Sequence, residues 1–330
     1  MQNSITKIAL VGAGGWGRQH ARILAGRPDV EFCGIAGRTP EKTRERAEMY
    51  GVPYYTDIQD MLEKTHPDLV SLCLPNKGHF DATLEIIRAG YPLMVEKPLV
   101  FSLNEADFLI REAAQRDLFF AINFNHRYAR PVQMAQQAIQ DGRLGQVVHA
   151  LWRFGGEGGS CFDHDNLIET QCHGFDMLEF LCGPIDSVAA QMTDMTGKGY
   201  STLSVALHFA AGGVGAMIGS YDASYAYPDT HFLEINGTSG RVVVDDTVRR
   251  YSYQAVGNET AEVWQAGYFN DEDREFHKTF DKYFDVMLDA FCKGNPPPVP
   301  AQAGRRALAL AQACIQSFET GVRVEHIAYG

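Results

Sequence analysis

Several features that would define other protein classes are missing from this chain. Its 330 residues contain no apolar run of the roughly 18 residues that a membrane-spanning helix needs. Lysine and arginine together number 29 against 41 aspartates and glutamates, and the basic residues are dispersed. A formal net charge of −12 argues against binding to nucleic acid or to an anionic membrane, because both need clustered positive charge. We therefore predict neither as a partner.

Cysteine motifs of disulfide-rich and zinc-binding proteins are also missing. The seven cysteines are odd in number and include no CxxC pair, which favours reduced thiols over a disulfide framework or a structural zinc site. The N-terminus runs directly into a strand and a glycine loop, without the basic start and small-residue cleavage site of a signal peptide. These features predict a cytoplasmic protein.

The most informative feature that is present is a glycine loop near the N-terminus. Residues 5–11 form a buried-strand pattern that runs into Gly12-Ala13-Gly14-Gly15-Trp16-Gly17, and helix signals follow. In such a GxGxxG pattern the first glycine permits a tight turn, the second lets the backbone approach a pyrophosphate, and the third lets helix and strand pack closely. The pattern predicts a dinucleotide site with contacts from Gly12, Gly14, Gly15, Trp16 and Gly17.

The end of the second predicted strand, Val30–Ala36, bears on the choice of cofactor. The strand runs into Gly37-Arg38-Thr39, where an NAD site usually has an acidic residue that binds the ribose hydroxyls. The guanidinium of Arg38 can instead pair with a 2′-phosphate, which favours NADP without excluding NAD. In the alternative interpretation Arg38 is a solvated side chain at the start of a helix, with Thr39 as N-cap and Pro40 in the first turn.

Strand and helix signals alternate as far as residue 123, and this alternation predicts a parallel sheet with helices on both faces. Ser102 and Glu105 are expected to form a capping box at one of these helices. Ligands of such sheets bind at the carboxyl ends of the strands. Three polar loops that follow the strands are therefore expected to converge on one crevice: Leu74-Pro75-Asn76, Glu96-Lys97-Pro98 and Asn123-Phe124-Asn125.

After about residue 125 short strand-like runs predominate, and a largely antiparallel sheet is predicted. The Ala211-Gly212-Gly213 turn joins two of these runs as a hairpin. A helix is predicted from Glu169 to Leu181, and two more follow, roughly Asp271 to Cys292 and Ala303 to Gly321. The predicted division is a dinucleotide-binding domain at 1–125 and a second domain at 126–330.

The predicted helix in the second domain carries a candidate acid/base group. Residues four apart share a helix face, so Glu169 and His173 are predicted neighbours, and Asp176 lies one turn beyond His173. A histidine between two carboxylates, with an ordinary pKa of about 6.5, suits proton transfer near neutrality. The alternatives are a surface histidine, a first-turn acid favoured by the helix dipole, and an aspartate that binds a nearby loop.

In their order and spacing, these motifs resemble the Gfo/Idh/MocA oxidoreductases, which include glucose-fructose oxidoreductase and inositol dehydrogenase. The resemblance rests on the glycine loop, Pro75-Asn76-x-x-His79, Glu96-Lys97-Pro98, Asn125-His126-Arg127-Tyr128 and His173-x-x-Asp176. It implies an α/β protein: an N-terminal Rossmann NAD(P)-binding domain and a C-terminal α+β domain with a large, mostly antiparallel open sheet. It also implies a homodimer or homotetramer that assembles through this sheet.

The resemblance also implies roles for individual residues. Lys97 and His173 flank the substrate carbon that faces the nicotinamide, and Glu96, Asn76 and His79 lie near the cofactor. Many members carry aspartate four residues before the histidine, where this chain has Glu169. Leu74, Pro75, Thr39 and Asn125 complete the predicted cofactor set.

A mechanism follows from the chemistry of alcohol oxidation. Hydride leaves for the nicotinamide while a base removes the hydroxyl proton. Our hypothesis is that His173 is the base, that Glu169 orients it, and that Lys97 stabilises the negative charge on the same oxygen. Lys97 and His173 could also exchange these roles, because desolvation beside a cationic nicotinamide favours a neutral lysine.

Arg127, Trp152 and Asp165 are candidate substrate contacts. Arg127 is alternatively structural or adjacent to the cofactor, and Trp152 is alternatively part of the sheet core. Asp163-His164-Asp165 could belong to a metal cluster, but its spacing matches no metal motif, so a substrate loop and no metal are predicted.

The leading functional prediction is an NAD(P)-dependent oxidoreductase that acts on a CH–OH group of a sugar, a sugar derivative or a cyclic polyol. Two alternatives stay open at this point. One is an NAD-dependent glycosidase of similar fold, and the other is a non-catalytic NAD(P) sensor.

Overall fold

The chain divides into two compact units. The computed structural model describes residues 5–75, 78–158 and 163–327. The first unit comprises the described residues up to Asn123 together with Phe280–Arg305, and the second comprises Phe124–Thr279 and the described residues from Arg306 on. The sequence predicts a single division near residue 125 and does not predict the return of 280–305 to the first unit. In the part of the chain that is described, no helix combines the length and apolarity needed to cross a membrane.

The first unit contains a six-stranded parallel sheet with helices between the strands. Its elements are β1 (Thr6–Val11), α1 (Gly15–Gly26), β2 (Val30–Ala36), α2 (Pro40–Tyr50), β3 (Tyr54–Tyr55), α3 (Ile58–Thr65), β4 (Leu69–Leu72), α4 (His79–Arg88), β5 (Leu93–Val95), α5 (Leu103–Ala114) and β6 (Phe120–Ile122). The strand order β3-β2-β1-β4-β5-β6 is that of a Rossmann fold. The predicted fold of this part is confirmed.

Burial explains why the sequence predicts these strands well. Strands β1, β4 and β5 are almost wholly buried, so they read as short apolar runs between glycine, proline and polar residues. The cap of α3 forms as its sequence suggests, since the Asp57 carboxylate accepts the Asp60 N–H at 2.8 Å. The predicted capping box at α5 is wrong, because Ser102 occupies the N-cap position without a side-chain hydrogen bond to the helix.

The returning segment completes the first unit beside β6. The Ile122 N–H donates to the carbonyl of Val299 at 3.0 Å, and Ala121 forms an isolated bridge with Pro300. The edge of the Rossmann sheet is thus covered by a segment that lies much later in the sequence. Covering an edge strand satisfies backbone groups that would otherwise be exposed for pairing with another chain.

The second unit is built on a nine-stranded sheet. After a 3-10 segment (Asn125–Tyr128) the chain forms α6 (Arg130–Gln140), β7 (Val147–Gly155), a π-helical turn (Asn166–Thr170), α7 (Cys172–Cys182), β8 (Ile185–Thr193), β9 (Thr202–Phe209), β10 (Val214–Ser220), β11 (His231–Gly237), β12 (Gly240–Asp245), β13 (Arg250–Ala255), β14 (Glu262–Gln265), α8 (Asp271–Arg274), α9 (Lys278–Cys292), α10 (Ala301–Thr320) and β15 (Val324–Glu325). Most of α9 and the start of α10 lie within Phe280–Arg305 and therefore belong to the first unit. Strands run in the order β14-β13-β12-β11-β7-β10-β9-β8-β15, and only the β7–β10 pair is parallel among the described strand pairs of this sheet. The predicted mostly antiparallel sheet and the β9–β10 hairpin are confirmed.

Two helix predictions in this part need correction. The helix expected from Glu169 to Leu181 is instead a π-helical turn, Asn166–Thr170, followed by α7. Glu169 therefore does not share an α-helical face with His173, and the i to i+4 argument for that pair is wrong. The helix expected from Asp271 to Cys292 is interrupted, because Glu275 after α8 adopts an extended conformation.

One face of the nine-stranded sheet carries exposed apolar side chains. Val214 is 52% exposed and Ile218 is 41% exposed on β10, and the intervening Ala216 is exposed too. The Met217 side chain between them is buried on the opposite face, as the period of two in a strand requires, and Gly219 is buried as well. Assembly of a homodimer or homotetramer through this sheet stays a prediction.

Candidate functional site

The glycine loop of the first unit has the geometry that its sequence predicts. Gly12 has φ of +120°, and a Cβ at this position would lie 2.0 Å from the carbonyl oxygen of Cys73. A Cβ at Gly17 would lie 2.2 Å from the carbonyl oxygen of Gly12. No side chain fits at either position, so these two glycines permit the tight turn and the close packing of α1 on β1.

The outer part of the loop is open. Gly14 and Gly15 are exposed, and a Cβ at either would meet no heavy atom within 4 Å. Gly15 begins α1, whose first N–H groups point out of the helix end and have no side-chain cap. An open backbone cradle at a helix N-terminus fits the pyrophosphate of a dinucleotide. Trp16 is 46% exposed and stacks on Phe280 with ring centroids 5.4 Å apart.

Arg38 and Thr39 lie on the exposed surface after β2. Thr39 is the N-cap residue of α2 but makes no side-chain cap hydrogen bond, and Pro40 occupies the first turn as expected. The guanidinium of Arg38 lies beside the turn that precedes α4, since a Cβ on Gly78 would be 3.5 Å from Arg38 Nη1. An exposed guanidinium in this position has its donors available to a ligand, so its predicted contact with a 2′-phosphate remains a proposal.

Lys97 lies two residues after the end of β5 and is half-buried. Its backbone N–H donates to Glu96 Oε2 at 3.3 Å, and the peptide bond from Lys97 to Pro98 is cis. The Glu96 carboxylate is only 5% exposed and accepts hydrogen bonds from His20 Nε2 at 2.8 Å and Asn123 Nδ2 at 2.5 Å. The Glu96 carboxylate is thus buried and hydrogen-bonded to side chains of neighbouring elements, and its contact with a cofactor stays a prediction.

The charge state of Glu96 is set by opposing effects. Burial alone would raise the pKa of the Glu96 carboxyl, but hydrogen bonds from His20 and Asn123 and the positive charge of Lys97 outweigh it and lower that pKa below its ordinary value. The carboxylate is therefore ionised at neutral pH and can hold several donors at once.

The other predicted cofactor residues differ in how far they are exposed to solvent. Leu74 is half-buried and Pro75 exposed, and Asn76 lies outside the described residues. His79 is 4% exposed, its Nδ1 donates to the carbonyl of Leu99 at 2.8 Å, and burial lowers the pKa of its imidazole. Asn125, in the second unit, is buried and donates from Nδ2 to Thr279 Oγ1 at 2.7 Å. Direct cofactor contacts by His79 and Asn125 stay predictions.

The candidate base of the second unit lies in an aromatic environment. His173 is in the first turn of α7 and is 6% exposed. Its ring stacks face to face on His126, with centroids 4.0 Å apart and an interplanar angle of 10°, and Phe124 approaches it edge-on at 5.8 Å. Packing of this kind restricts rotation of the imidazole. Sequence reasoning did not select His126, although it lies in the Asn125-His126-Arg127-Tyr128 stretch.

Asp176 and Arg127 form a buried, bidentate ion pair. Arg127 Nε and Nη2 donate to the two carboxylate oxygens at 2.8 and 2.5 Å, and the guanidinium also lies 4.7 Å from the centre of the Phe180 ring. Burial raises the pKa of the Asp176 carboxyl, and the charge of Arg127 works against that shift. The alternative interpretation of Asp176, as a partner of a neighbouring segment, is therefore the one that the structure supports. Arg127 as a substrate contact stays a prediction.

Trp152 lies in the sheet core and does not present a face to solvent. It is 3% exposed, and its indole N–H donates to Gln171 Oε1 at 3.2 Å. The same Gln171 side chain donates to the carbonyl of Phe154 and to Asn166 Oδ1, both at 3.1 Å. This network fixes the π-helical turn to β7. These contacts support the alternative interpretation of Trp152 as part of the sheet core, and a substrate contact by Trp152 stays a prediction.

Glu169 and Asp165 lie close to the hydroxyl of Tyr221. Burial raises the pKa of Tyr221, and the charges of both carboxylates raise it further. Tyr221 Oη also lies 2.8 Å from Thr170 Oγ1 in the π-helical turn. Asp165 is 4% exposed and Glu169 is half-buried. Sequence reasoning missed Tyr221, because only the fold brings the end of β10 to this turn.

His231, which lies beside Phe154, makes the stability of the fold depend on pH. Its ring packs on Phe154 at 3.9 Å, Nε2 donates to the carbonyl of Gly155 at 3.2 Å, and burial lowers its pKa to about 4. An unfolded histidine titrates near pKa 6.5, so between about pH 6.5 and 4 the unfolded chain binds more protons and the free energy of unfolding falls as pH falls. We expect a loss of about 3 kcal/mol over that range from this residue.

The variant His231→Gln keeps a donor and removes the titration. Urea unfolding at about pH 7 and about pH 4 should show a smaller fall in stability for His231→Gln than for the parent. His277→Gln, at an exposed position, is the control and should behave like the parent. An equal fall in the parent and in His231→Gln would contradict the assignment.

Comparison with known proteins identifies both parts of the chain. A family model described as "Oxidoreductase family, NAD-binding Rossmann fold" matches residues 6–124, and one described as "Oxidoreductase family, C-terminal alpha/beta domain" matches residues 162–326. The two models belong to one family and together span most of the chain.

Named relatives match along the full length. A myo-inositol 2-dehydrogenase from Thermotoga maritima is 26% identical over 97% of this chain and 99% of its own. A D-glucoside 3-dehydrogenase from Escherichia coli is 27% identical over 98% of this chain and 99% of its own. The solved structure of levoglucosan dehydrogenase in complex with NADH superposes with a TM-score of 0.88 at 17% identity, covering 97% of this chain and 99% of that one, which shows the fold.

Proposed function

Since the chain belongs to the Gfo/Idh/MocA family of oxidoreductases and is an NAD(P)-dependent dehydrogenase of CH–OH groups, we propose that it acts on a sugar, a sugar derivative or a cyclic polyol. Hydride passes between the nicotinamide and a secondary alcohol or its ketone. The observation that carries the proposal is the position of Lys97, two residues after the interior strand β5 of the Rossmann sheet, with its backbone N–H donated to the Glu96 carboxylate. The substrate class rests on the names of the full-length relatives, an inositol dehydrogenase and a glucoside dehydrogenase.

Lys97 and His173 have different roles at the reacting oxygen: His173 transfers the proton, and Lys97 stabilises the negative charge. The bound dinucleotide supplies the hydride acceptor during oxidation. An imidazole nitrogen of His173 takes the hydroxyl proton as the C–H bond breaks, so that the oxygen does not accumulate a full negative charge. The Lys97 ammonium donates a hydrogen bond to that oxygen and stabilises the remaining charge. In the reverse reaction protonated His173 returns this proton to the ketone oxygen, while the Lys97 ammonium again donates a hydrogen bond to it.

The side chains around His173 support this role by limiting its freedom. Face-to-face packing on His126 and edge contact with Phe124 hold the ring plane, so that a proton-accepting nitrogen keeps one direction. We propose that Glu169 and Asp165 bind substrate hydroxyls, because carboxylates are acceptors that polyols satisfy. A direct orienting contact from Glu169 to His173 stays part of the proposal, although it no longer rests on a shared helix face.

The test of the proposal is a substrate screen. The protein is mixed with each of a panel of sugars, glycosides and inositols, with NAD and NADP separately, and nicotinamide absorbance is followed. Net reduction of the cofactor by a polyol or sugar supports the proposed function. Release of a leaving group without net reduction would replace it by the glycosidase function, and cofactor binding without any turnover would replace it by a sensor.

The choice of NADP over NAD rests on Arg38. Replacement of Arg38 by alanine removes the guanidinium that would pair with a 2′-phosphate, and we expect the dissociation constant for NADP to rise by about 10- to 100-fold with little change for NAD. Fluorescence titration with both cofactors measures the two constants. Arg44→Ala, exposed on α2, is the matched control. An equal effect of Arg38→Ala on both cofactors would remove the phosphate contact from the proposal.

A further inference from the structure

A buried histidine in the first unit has no place in the reaction described so far. His20 is on α1, one turn after the glycine loop, and is 1% exposed. Phe284 contacts it edge-on at 5.1 Å and Phe280 at 6.1 Å. Both ring nitrogens have polar partners, with Nδ1 2.8 Å from Ser71 Oγ and Nε2 2.8 Å from Glu96 Oε1. Because its ring is buried and both of its nitrogens have polar partners, His20 connects α1 to the neighbouring strands.

His20 ties the helix that follows the phosphate loop to the strand ends. Ser71 lies on β4 and Glu96 follows β5, while Asn123, which also donates to Glu96, follows β6. The Glu96 carboxylate therefore accepts hydrogen bonds from one side chain on α1 and from another at the end of β6. These groups are all less than 10% exposed, so water does not compete for the hydrogen bonds.

The orientation of the hydrogen bonds follows from the acceptor. An ionised carboxylate only accepts, so His20 Nε2 carries the hydrogen that lies between it and Glu96. With Oε1 held by His20 and Asn123, Oε2 is directed at the backbone N–H of Lys97. The rotation of the Glu96 carboxylate, and with it the position of the Lys97 backbone, depends on the donor that His20 supplies.

The same place in the core has a second interpretation as a metal site. Ligand atoms of His20, Cys73 and Glu96 lie within 4.8 Å of one another. Burial holds the pKa of the Cys73 thiol well above its usual range, so the thiol would have to lose its proton to bind a metal. His20 Nε2 already donates to Glu96 and cannot offer a lone pair to an ion without breaking that bond. The hydrogen-bond interpretation therefore fits the contacts better.

We propose that His20 is a positioning residue for the dehydrogenase reaction, acting on Lys97 through the Glu96 carboxylate. This inference rests on the proposed role of Lys97 at the reacting oxygen. Loss of the His20 donor would free Glu96 to rotate and would shift the lysine from the geometry in which its ammonium meets the substrate oxygen. Displacements of about 1 Å at a reacting group cost on the order of 100-fold in rate.

Two conservative variants separate the contacts of His20. In His20→Asn the amide nitrogen can replace Nδ1 near Ser71 but cannot reach Glu96, and in His20→Gln the longer amide can donate to Glu96. We expect His20→Asn to lower kcat by about 10- to 100-fold while the dissociation constant for the cofactor and the KM stay within about twofold, and His20→Gln to restore most of the turnover. His66→Asn, an exposed position where asparagine suits the left-handed backbone, is the matched control.

A double-mutant cycle distinguishes positioning from general damage. If His20 acts through Lys97, His20→Asn should have an effect of less than about twofold on the residual rate of a Lys97→Met enzyme. An equal loss in both backgrounds would overturn the inference, as would a parallel rise in the cofactor dissociation constant and fall in thermal stability. Near-normal turnover of Lys97→Met alone would contradict the proposed function, on which the inference about His20 rests. Full turnover of His20→Asn in an enzyme that needs Lys97 overturns only the inference.

Removal of His20 leaves a buried charge with one donor fewer, and this could prevent folding. Glu96→Gln gives the same test without a buried charge. Its amide keeps the shape of the side chain but cannot accept from both His20 and the Lys97 N–H, so kcat should fall and the fall should vanish in the Lys97→Met background. Unchanged turnover of a folded Glu96→Gln enzyme would overturn the inference.

Discussion

Replacement of Lys97 by methionine is expected to lower kcat by about 1,000-fold, with little effect on the dissociation constant for the cofactor. Methionine keeps the length and the apolar stem of the side chain but removes the ammonium that donates to the reacting oxygen. The backbone hydrogen bond from residue 97 to Glu96 is unaffected by the change, so the local fold should persist. Steady-state rates with the best substrate of the panel, and a separate cofactor titration, measure the two quantities.

The control for this substitution is Lys293→Met, which removes an exposed lysine that is paired with Asp289 on the surface. It should leave kcat within about twofold of the parent value, because an exposed ion pair contributes little to the stability of the fold. Near-normal turnover of Lys97→Met would remove Lys97 from the reaction. The proposed mechanism would then lose the group on which it most depends.

Replacement of His173 by alanine is expected to lower kcat by about 100- to 10,000-fold, the range for loss of a positioned general base. The same change leaves a space against the His126 ring, and we expect added imidazole to restore part of the turnover by occupying it. Rescue of this kind would show that the lost group is an imidazole and not a packing contact. The rates with and without imidazole provide the measurement.

Two further variants complete that experiment. His173→Gln fills most of the volume and should be as inactive as His173→Ala, but without rescue, because no space is left for the added base. His277→Ala at an exposed position should be fully active. Retention of turnover in both His173 variants would assign proton transfer to another group, with Lys97 as the first candidate.

The Rossmann part was predictable because its signals are local. Strand β2 and helix α2 have the predicted bounds, since glycine and proline residues mark the ends of both. The roles of Gly12 and Gly17 follow from contacts within the same short loop. Lys97 could be placed near a strand end for the same reason, because it lies only two residues after β5 in the sequence.

Features that depend on tertiary contacts could not be predicted from local sequence signals. The π-helical turn exists because Gln171 bonds Trp152 and Asn166, and because β10 has a glycine, Gly219, where a Cβ would lie 2.5 Å from the Gln171 side chain. Sequence spacing favoured a continuous helix there. The pairing of Arg127 with Asp176 likewise joins segments that are far apart along the chain.

The stacked pair of His126 and His173 shows the same limit in the candidate site. Each residue carries an ordinary local signal, one at the end of the Rossmann strands and the other near the start of a helix. Their contact at 4.0 Å depends on how α7 packs against the 3-10 segment. The sequence can therefore propose His173 as a candidate, while only the structure shows which side chains pack against its ring.

Direct transfer of hydride from a carbinol carbon is the central claim, and isotopic labelling tests it most directly. The best alcohol of the panel, deuterated at the carbon that is oxidised, is incubated with the enzyme and oxidised cofactor, and the reduced cofactor is isolated for mass spectrometry. The account predicts one deuterium in the reduced nicotinamide made by the parent enzyme. Reduced cofactor without deuterium, or product formed with no reduced cofactor at all, would contradict it.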